Sequence, residues 1–379
     1  MRRRLLESLA AATVLMALVM WLRASAVSLA GQAPAATATA GTAPALKTAW
    51  GHSDLQGIWL DEFDTALERP ARYANREFLT DQERAALDEE RRNPEGNNYS
   101  GLFTSVKPTA RRTSLVVDPA NGRIPALTAQ AQERNRLEQE FRMALLRNTE
   151  TCKRQLGDCK GWPYGPPSPR LTDVTPFYNT VRINRHDGPE DFALGERCMG
   201  GATPDFNGFR RIVQGPDSIA IAVDTGQGQG YQRVVYLSGS HPPSHIRLRH
   251  GDSRGRFEGD TLVVETTNFS PKFPFRSAAE NRTLIERFTR VNANTMEYAA
   301  TITDPTVWAA PWTVKQELKR QPDDENRIYY EPRCHEGNHG LPALLNNSRL
   351  HEKAFAEGHG PHPASVDRIT TYRLDEVPR

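Results

Sequence analysis

The chain has 379 residues, 48 of them basic and 46 acidic, for a formal net charge of +2. That balance carries no basic footprint for nucleic acid, and the length left after the leader allows one large or two ordinary domains. No Gly-x-Gly-x-x-Gly follows a strand, and no phosphate loop or Gly-x-Ser-x-Gly elbow occurs, so nucleotide and simple serine-hydrolase chemistry fall away.

The N-terminus places Arg2, Arg3 and Arg4 before an apolar run from Leu9 to Leu22, and small residues follow at Ala24, Ser25, Ala26 and Ala30. A charged segment, a short apolar segment and a small-residue cleavage region make a signal peptide over 1–30. The run is shorter than a membrane span needs, so secretion is favoured over a retained anchor, and no stable span is expected after processing. The arginines permit either the general or the twin-arginine exporter. Residues 31–45 are an Ala/Thr/Pro/Gly stretch that cannot bury enough surface to order itself, hence a flexible leader. A single domain is expected over 46–379, in the periplasm or outside the cell.

Two segments have helical patterns. The first, 80–91, opens with Thr80 as N-cap and Glu83 three residues on, a capping box. The second, 128–147, spaces Ala131, Leu137, Phe141 and Leu145 along one face. A short strand is expected after the Arg111-Arg112-Thr113-Ser114 run. From about Asn179 the chain turns into short β-branched and aromatic runs parted by Gly, Asn, Asp and Pro: 178–183, 209–214, 218–224, 232–237, 245–250, 261–269, 283–291, 295–303, 312–319 and 327–333. Asn292-Ala293-Asn294 and Glu258-Gly259-Asp260 suit tight hairpins. The fold class expected is mainly β: a lipocalin-like antiparallel β-barrel with N-terminal helices and long loops packed around it. A barrel of about eight strands has room for one small ligand. Alternation puts Leu262, Val264, Thr266 and Asn268 on one face; Asn268 either reaches into the barrel or makes a strand-end turn, and residue type favours the turn.

An even set of four cysteines in an exported chain favours disulfides. Cys152 and Cys159 are close enough in sequence to pair locally, which leaves Cys198 and Cys334 to pair across the fold. A metal site is disfavoured because no Cys-x-x-Cys spacing is present.

Three polar clusters could carry chemistry. In Cys334-His335-Glu336-Gly337-Asn338-His339, His335 supplies a base, Glu336 a carboxylate to orient it and Asn338 a hydrogen-bond donor, against the plainer reading of a turn bonded to its own backbone. Around Asp252-Ser253-Arg254, an Asp two residues from an Arg makes either an internal ion pair or a site in which Arg254 clamps a carboxylate. Arg112, Glu196 and Arg197 complete the set. A Cys198–Cys334 bridge would hold the two Cα atoms within about 7 Å and tie Glu196 and Arg197 beside His335.

At these residues the chain resembles a large family of exported bacterial proteins. The matching segments include Arg112-Thr-Ser-Leu-Val-Val-Asp-Pro, Glu196-Arg-Cys, the run from Gly251-Asp-Ser-Arg-Gly-Arg-Phe-Glu-Gly-Asp to Asn268-Phe, Asp304-Pro-Thr-Val-Trp and Cys334-His-Glu-Gly-Asn. It departs from the family pattern at 205–208 and 227–231. Some similar proteins are cofactor-independent lyases of lignin-derived phenylcoumaran dimers, which lose a carboxylate or hydroxymethyl group to give a stilbene. The resemblance implies acid/base chemistry through a quinone methide, without metal or other cofactor, on a small aromatic substrate. His335, Glu336, Asn338 and Asn268 would be catalytic, and Arg112, Arg254, Asp252, Glu196 and Arg197 would bind substrate. The alternatives are a non-catalytic lipocalin-like binder of a small apolar ligand and a hydrolase of unrecognised type.

Overall fold

The computed structural model describes residues 46–74, 76–92, 107–206, 209–224, 230–322 and 340–369. Ten strands form one sheet: β1 (Gly57–Asp61), β2 (Val116–Asp118), β3 (Phe209–Gln214), β4 (Ser218–Asp224), β5 (Gly230–Tyr236), β6 (Asp252–Glu258), β7 (Thr261–Thr267), β8 (Thr283–Arg290), β9 (Thr295–Thr303) and β10 (Trp312–Arg320). Their order is β1-β3-β4-β5-β6-β7-β8-β9-β10-β2, and β1 also pairs with β10. That second pairing closes nine strands into a barrel and leaves β2 as a tenth strand on β10. Closure removes the free edges that an open sheet would expose. The expected mainly β barrel is therefore the fold.

Seven of the expected strands form, from 209–214 onward, and the two hairpin turns connect β8 to β9 and β6 to β7. Other expectations are corrected or fall outside the described residues. The 178–183 and 245–250 runs are not strands. The 327–333 run lies outside the described residues. Asp252–Glu258, absent from the expected strands, is β6, and β1 comes from before the first helix. The sheet is not wholly antiparallel: β5 and β6 pair in parallel through Val235↔Ser253 and Tyr236↔Arg254. The 15 residues between them return the chain to the same end of the barrel without a helix, so a parallel neighbour is the only orientation left.

Inside the barrel, register stacks side chains in rows. Val235, Ser253, Thr266, Leu284, Ile302 and Trp312 form one row, and Phe257, Leu262, Phe288, Tyr298 and Gln316 another. Leu262 and Val264 share the inner face, as alternation requires, and both are buried in the main core. Between these rows Glu286 faces Arg233. The ion pair is buried, and Tyr298 Oη donates to the other carboxylate oxygen at 2.9 Å. Arg233 Nη1 also donates to Ser253 Oγ at 3.2 Å and Thr266 Oγ1 at 3.1 Å. Burial raises the Tyr298 phenol well above its ordinary value, so it remains a donor.

The α-helices among the described residues are α1 (Asp81–Arg92), α2 (Ala129–Leu146), α3 (Glu150–Lys153) and α4 (Gly340–Ala356). Thr80 and Glu83 make the capping box expected for α1, with Glu83 N to Thr80 Oγ1 at 3.2 Å and Thr80 N to Glu83 Oε2 at 2.9 Å. Thr128 caps α2 by accepting from Ala131 N at 3.1 Å. Ala131, Phe141 and Leu145 are buried as expected, while Leu137 is exposed; Met143 and Leu146 are buried instead. None of the helices among the described residues is long and apolar enough to cross a membrane.

Cys152 and Cys159 are bridged at a separation of seven residues, their Cα atoms 4.7 Å apart. Closing so short a loop removes modest chain entropy, so replacing both by Ser should cost about 2.5 kcal/mol. Urea unfolding with an unchanged midpoint would contradict that figure. Cys198 is also disulfide-bonded, and its expected partner, Cys334, lies outside the described residues.

Candidate functional site

Strand β10 changes partners along its length. It pairs with β2 at Thr313 and Val314 and with β1 at Leu318–Arg320. Between those contacts β1 and β2 diverge, because the chain leaves the barrel after Asp61 and does not return until Leu115. The gap is a slot in the wall with a volume of about 470 Å³, lined from outside by Phe78, Arg111 and Arg112 and from the barrel side by Asp61 and Gln316. That volume lies in the range of small-molecule sites.

Asp61 sits on the inner face with Trp59, two residues before it. It is 9% exposed. Burial raises its pKa, and Lys107, with Nζ 3.4 Å from Oδ2, opposes the shift. Asp61 Oδ1 accepts from Phe63 N at 3.4 Å, which keeps the carboxyl pointing along the slot wall. A carboxyl whose pKa burial raises therefore sits beside an ammonium group at the slot.

The outer lip is aromatic and cationic. Phe78 is 43% exposed, and the guanidinium carbons of Arg111 and Arg112 lie 5.5 and 5.0 Å from its ring centre. Arg112 is ion-paired with Glu77. Arg111 makes no ion pair within 4.0 Å among the described residues, so its charge is available to an anion. At the inner end, Gln316 Nε2 donates to Phe206 O at 2.6 Å, and Arg210 Nη2 lies 3.5 Å from Gln316 Oε1. The Arg210 guanidinium covers the Tyr298 ring at 4.8 Å, which joins the slot to the Glu286–Arg233 network.

Of the residues expected from sequence, Arg112 alone lines this slot among those described. Arg254 is taken up by Asp252, with Nε to Oδ1 at 2.7 Å and Nη2 to Oδ2 at 3.0 Å, and its Nη1 donates to Ser238 O. The internal ion pair is therefore formed, and a carboxylate clamp at Arg254 would have to displace it. His241 Nδ1 lies 2.7 Å from Asp252 Oδ1. Asn268 follows β7 with a φ of 56° and donates Nδ2 to Pro242 O at 2.9 Å, so its amide is engaged by the 242–243 segment. Glu196 pairs with Arg182 and accepts from Ala193 N at 3.0 Å, while Arg197 Nη1 donates to Tyr178 Oη at 3.3 Å. His335, Glu336 and Asn338 lie outside the described residues.

Sequence reasoning missed Asp61, Lys107 and Phe78, and it noted Arg111 only as the neighbour of Arg112. A signal existed for Asp61: it is the one acidic residue ending the apolar run Ile58-Trp59-Leu60, on the Trp59 side of the alternation. Lys107 and Phe78 carried none, since each meets the slot through loops whose path no local pattern states.

No protein-family model matches this sequence, and no curated protein is significantly similar to it. Among solved structures the chain is similar to a secretary abundant heat soluble (SAHS) protein from Ramazzottius varieornatus, at 16% identity over 34% of this chain and 79% of that one, with a TM-score of 0.21.

Proposed function

We propose that this exported protein takes a small aromatic substrate bearing an anionic group into the slot beside β10 and acts on it as a cofactor-independent carbon–carbon lyase. The observation that carries this reading is the meeting, in one 470 Å³ slot, of a buried carboxyl, an aromatic face and a guanidinium that has no ion pair among the described residues. Phe78 and Phe63 would pack against substrate rings, and Arg111, with Arg112 beside it, would hold the anion. Asp61 as base takes a phenolic proton; the released electron pair opens the adjoining ring as a quinone methide, and Lys107 protonates the departing oxygen. The γ-carboxylate then leaves as carbon dioxide, and its electron pair forms the stilbene double bond and restores the aromatic ring as a phenoxide, which takes its proton back from Asp61, while water reprotonates Lys107. The resemblance to the exported family supports a phenylcoumaran-type dimer as substrate, with His335 and Glu336 as further candidates for proton transfer.

Arg111→Ala tests the binding half of this reading. Losing one partly exposed charged contact to an anion should raise KM about tenfold, with little change in kcat and in unfolding temperature. Unchanged KM for a carboxylated substrate would remove Arg111 from the site.

A further inference from the structure

A second cavity, also of about 470 Å³, lies between one face of α2 and the loop that follows α3. Helix α2 contributes Glu138, Arg142, Met143 and Leu146 to its wall, and the loop contributes Lys160 and Trp162. Met143 and Leu146 are buried, and Trp162 and Ile369 pack on them together with the bridged Cys152 and Cys159. Gln155 fixes the loop: its Nε2 donates to Cys152 O and Trp162 O, each at 2.8 Å, and its Oε1 accepts from Gly161 N at 2.9 Å. The wall that carries the Trp162 ring is therefore held by a covalent bridge and by hydrogen bonds, so a ligand need not order it.

Elsewhere on α2 charges pair where the spacing allows it. Arg136 is ion-paired with Glu133, three residues before it, and with Glu140, four after it. Glu138 and Arg142 have the same four-residue spacing, in the order of acid then base that a helix favours, and both line this cavity. Yet neither makes an ion pair within 4.0 Å among the described residues. Both are half-buried. Burial raises the Glu138 pKa and the charges of Arg134 and Arg142 oppose the shift, so Arg142 acts on the carboxyl across the gap between them. The Cβ atoms of such a pair stand about 6 Å apart. An anion alone would meet the Glu138 carboxylate, and a cation alone would meet the Arg142 guanidinium. A ligand with both charges satisfies both groups. The ammonium and carboxylate of an α-amino acid share one carbon and stand about 3 Å apart, and with a charge-assisted hydrogen bond at each end they bridge groups up to about 8 Å apart. The other charges of the lining, Asp158 and Lys160, are exposed and cancel, which suits a ligand without net charge.

We propose that this cavity binds a free α-amino acid with a large apolar side chain, its ammonium donating to Glu138, its carboxylate accepting from Arg142, and its side chain lying against Trp162, Met143 and Leu146. The volume takes a ligand the size of phenylalanine. The site is separate from the β10 slot and does not depend on the activity proposed there. A ligand of about twelve heavy atoms so held binds with a dissociation constant on the order of 0.1 mM.

The test is isothermal titration calorimetry of the full mature chain at neutral pH with L-phenylalanine, 2-phenylethylamine, 3-phenylpropionate and glucose. L-Phenylalanine should bind at least about tenfold more tightly than each of the others, since each lacks one or both charges. Glu138→Gln should weaken L-phenylalanine about tenfold or more while leaving 3-phenylpropionate no weaker. Arg142→Gln should weaken L-phenylalanine to a similar extent while leaving 2-phenylethylamine no weaker. Glu138 makes no ion pair that its amide would lose, so Glu138→Gln serves if Arg142→Gln fails to fold. Arg111→Ala should leave L-phenylalanine binding unchanged. An affinity for 3-phenylpropionate equal to that for L-phenylalanine would make the cavity an anion site, and an equal affinity for 2-phenylethylamine would make it a cation site. Glucose bound more tightly than L-phenylalanine would make it a polyol site. No saturable binding would leave it to solvent, and L-phenylalanine binding that is indifferent to Glu138→Gln, or that falls with Arg111→Ala, would place the ligand elsewhere. Each of these overturns the proposal.

Discussion

Asp61→Asn should reduce turnover of a phenylcoumaran-type acid by roughly 10²-fold or more while leaving the unfolding midpoint nearly unchanged. The amide keeps the shape and the contact to Phe63 N but cannot take a proton. Its partner Lys107 is part-exposed, so the ammonium left behind is solvated rather than stranded. The pH dependence has a definite sign. A base must be ionised, so kcat/KM should fall as pH is lowered through the Asp61 pKa, which burial raises from its ordinary value. Asp61→Asn should abolish that acidic limb. His335→Ala makes the comparison complete: a loss of activity there with the limb retained would assign His335 a separate proton transfer, whereas loss of the limb in His335→Ala alone would take the base away from Asp61.

Glu286→Ala should be the most destabilising single change in the barrel, by about 3–5 kcal/mol, because it strands a buried guanidinium. Arg233 would keep only Ser253 and Thr266 as partners, and the Tyr298 hydroxyl would lose its acceptor. Replacing both charges by apolar residues of similar volume, Arg233→Met with Glu286→Leu, should recover most of the loss, since neither charge then remains to be desolvated. Denaturant unfolding measures both. A loss below about 1 kcal/mol in the single variant would mean that water reaches the pair and that the barrel interior is not dry.

Much of this fold is legible from alternation. Strands β7 to β10 alternate, turning Leu262 and Val264, Leu284 and Phe288, Met296, Tyr298 and Ile302, and Trp312, Val314 and Leu318 inward, and the tight turns carry Gly259 before β7 and Asn292 and Asn294 before β9, so pattern and turn chemistry agree there. Strand β6 hid for a physical reason. Its inward residues are Ser253, Gly255 and Phe257, and a side chain at Gly255 would come within 2.7 Å of Val235. Space already filled by the parallel neighbour β5 demands small residues, and a Ser/Gly row between charges looks like a loop. The 245–250 run has the apolar residues of a strand, but Ile246 and Leu248 are exposed. The capping box of α1 was readable because it is a contact between residues three apart.

The site was less legible. Arg111 and Arg112 drew notice as a pair, yet among the described residues Arg112 is the one that has an acid, Glu77, and Arg111 has none. The Asp252–Arg254 pair stood out by local density of charge, and that density is spent within the pair itself. What makes the slot is the divergence of β1 and β2 on β10, a fact of register between segments more than 50 residues apart in the chain, and no local pattern carries it.

The most direct test of the central claim is to incubate the purified mature protein, freed of added metals and nucleotides, with a panel of phenylcoumaran dimers carrying a γ-carboxylate or γ-hydroxymethyl group, and to follow stilbene absorbance together with released carbon dioxide or formaldehyde. The account predicts that a carboxylated dimer gives stilbene and carbon dioxide in equal amounts, at a rate that Asp61→Asn lowers by roughly 10²-fold or more. Saturable binding of the dimers with no product, in a protein whose barrel is intact, would contradict a lyase and leave a binding protein in its place.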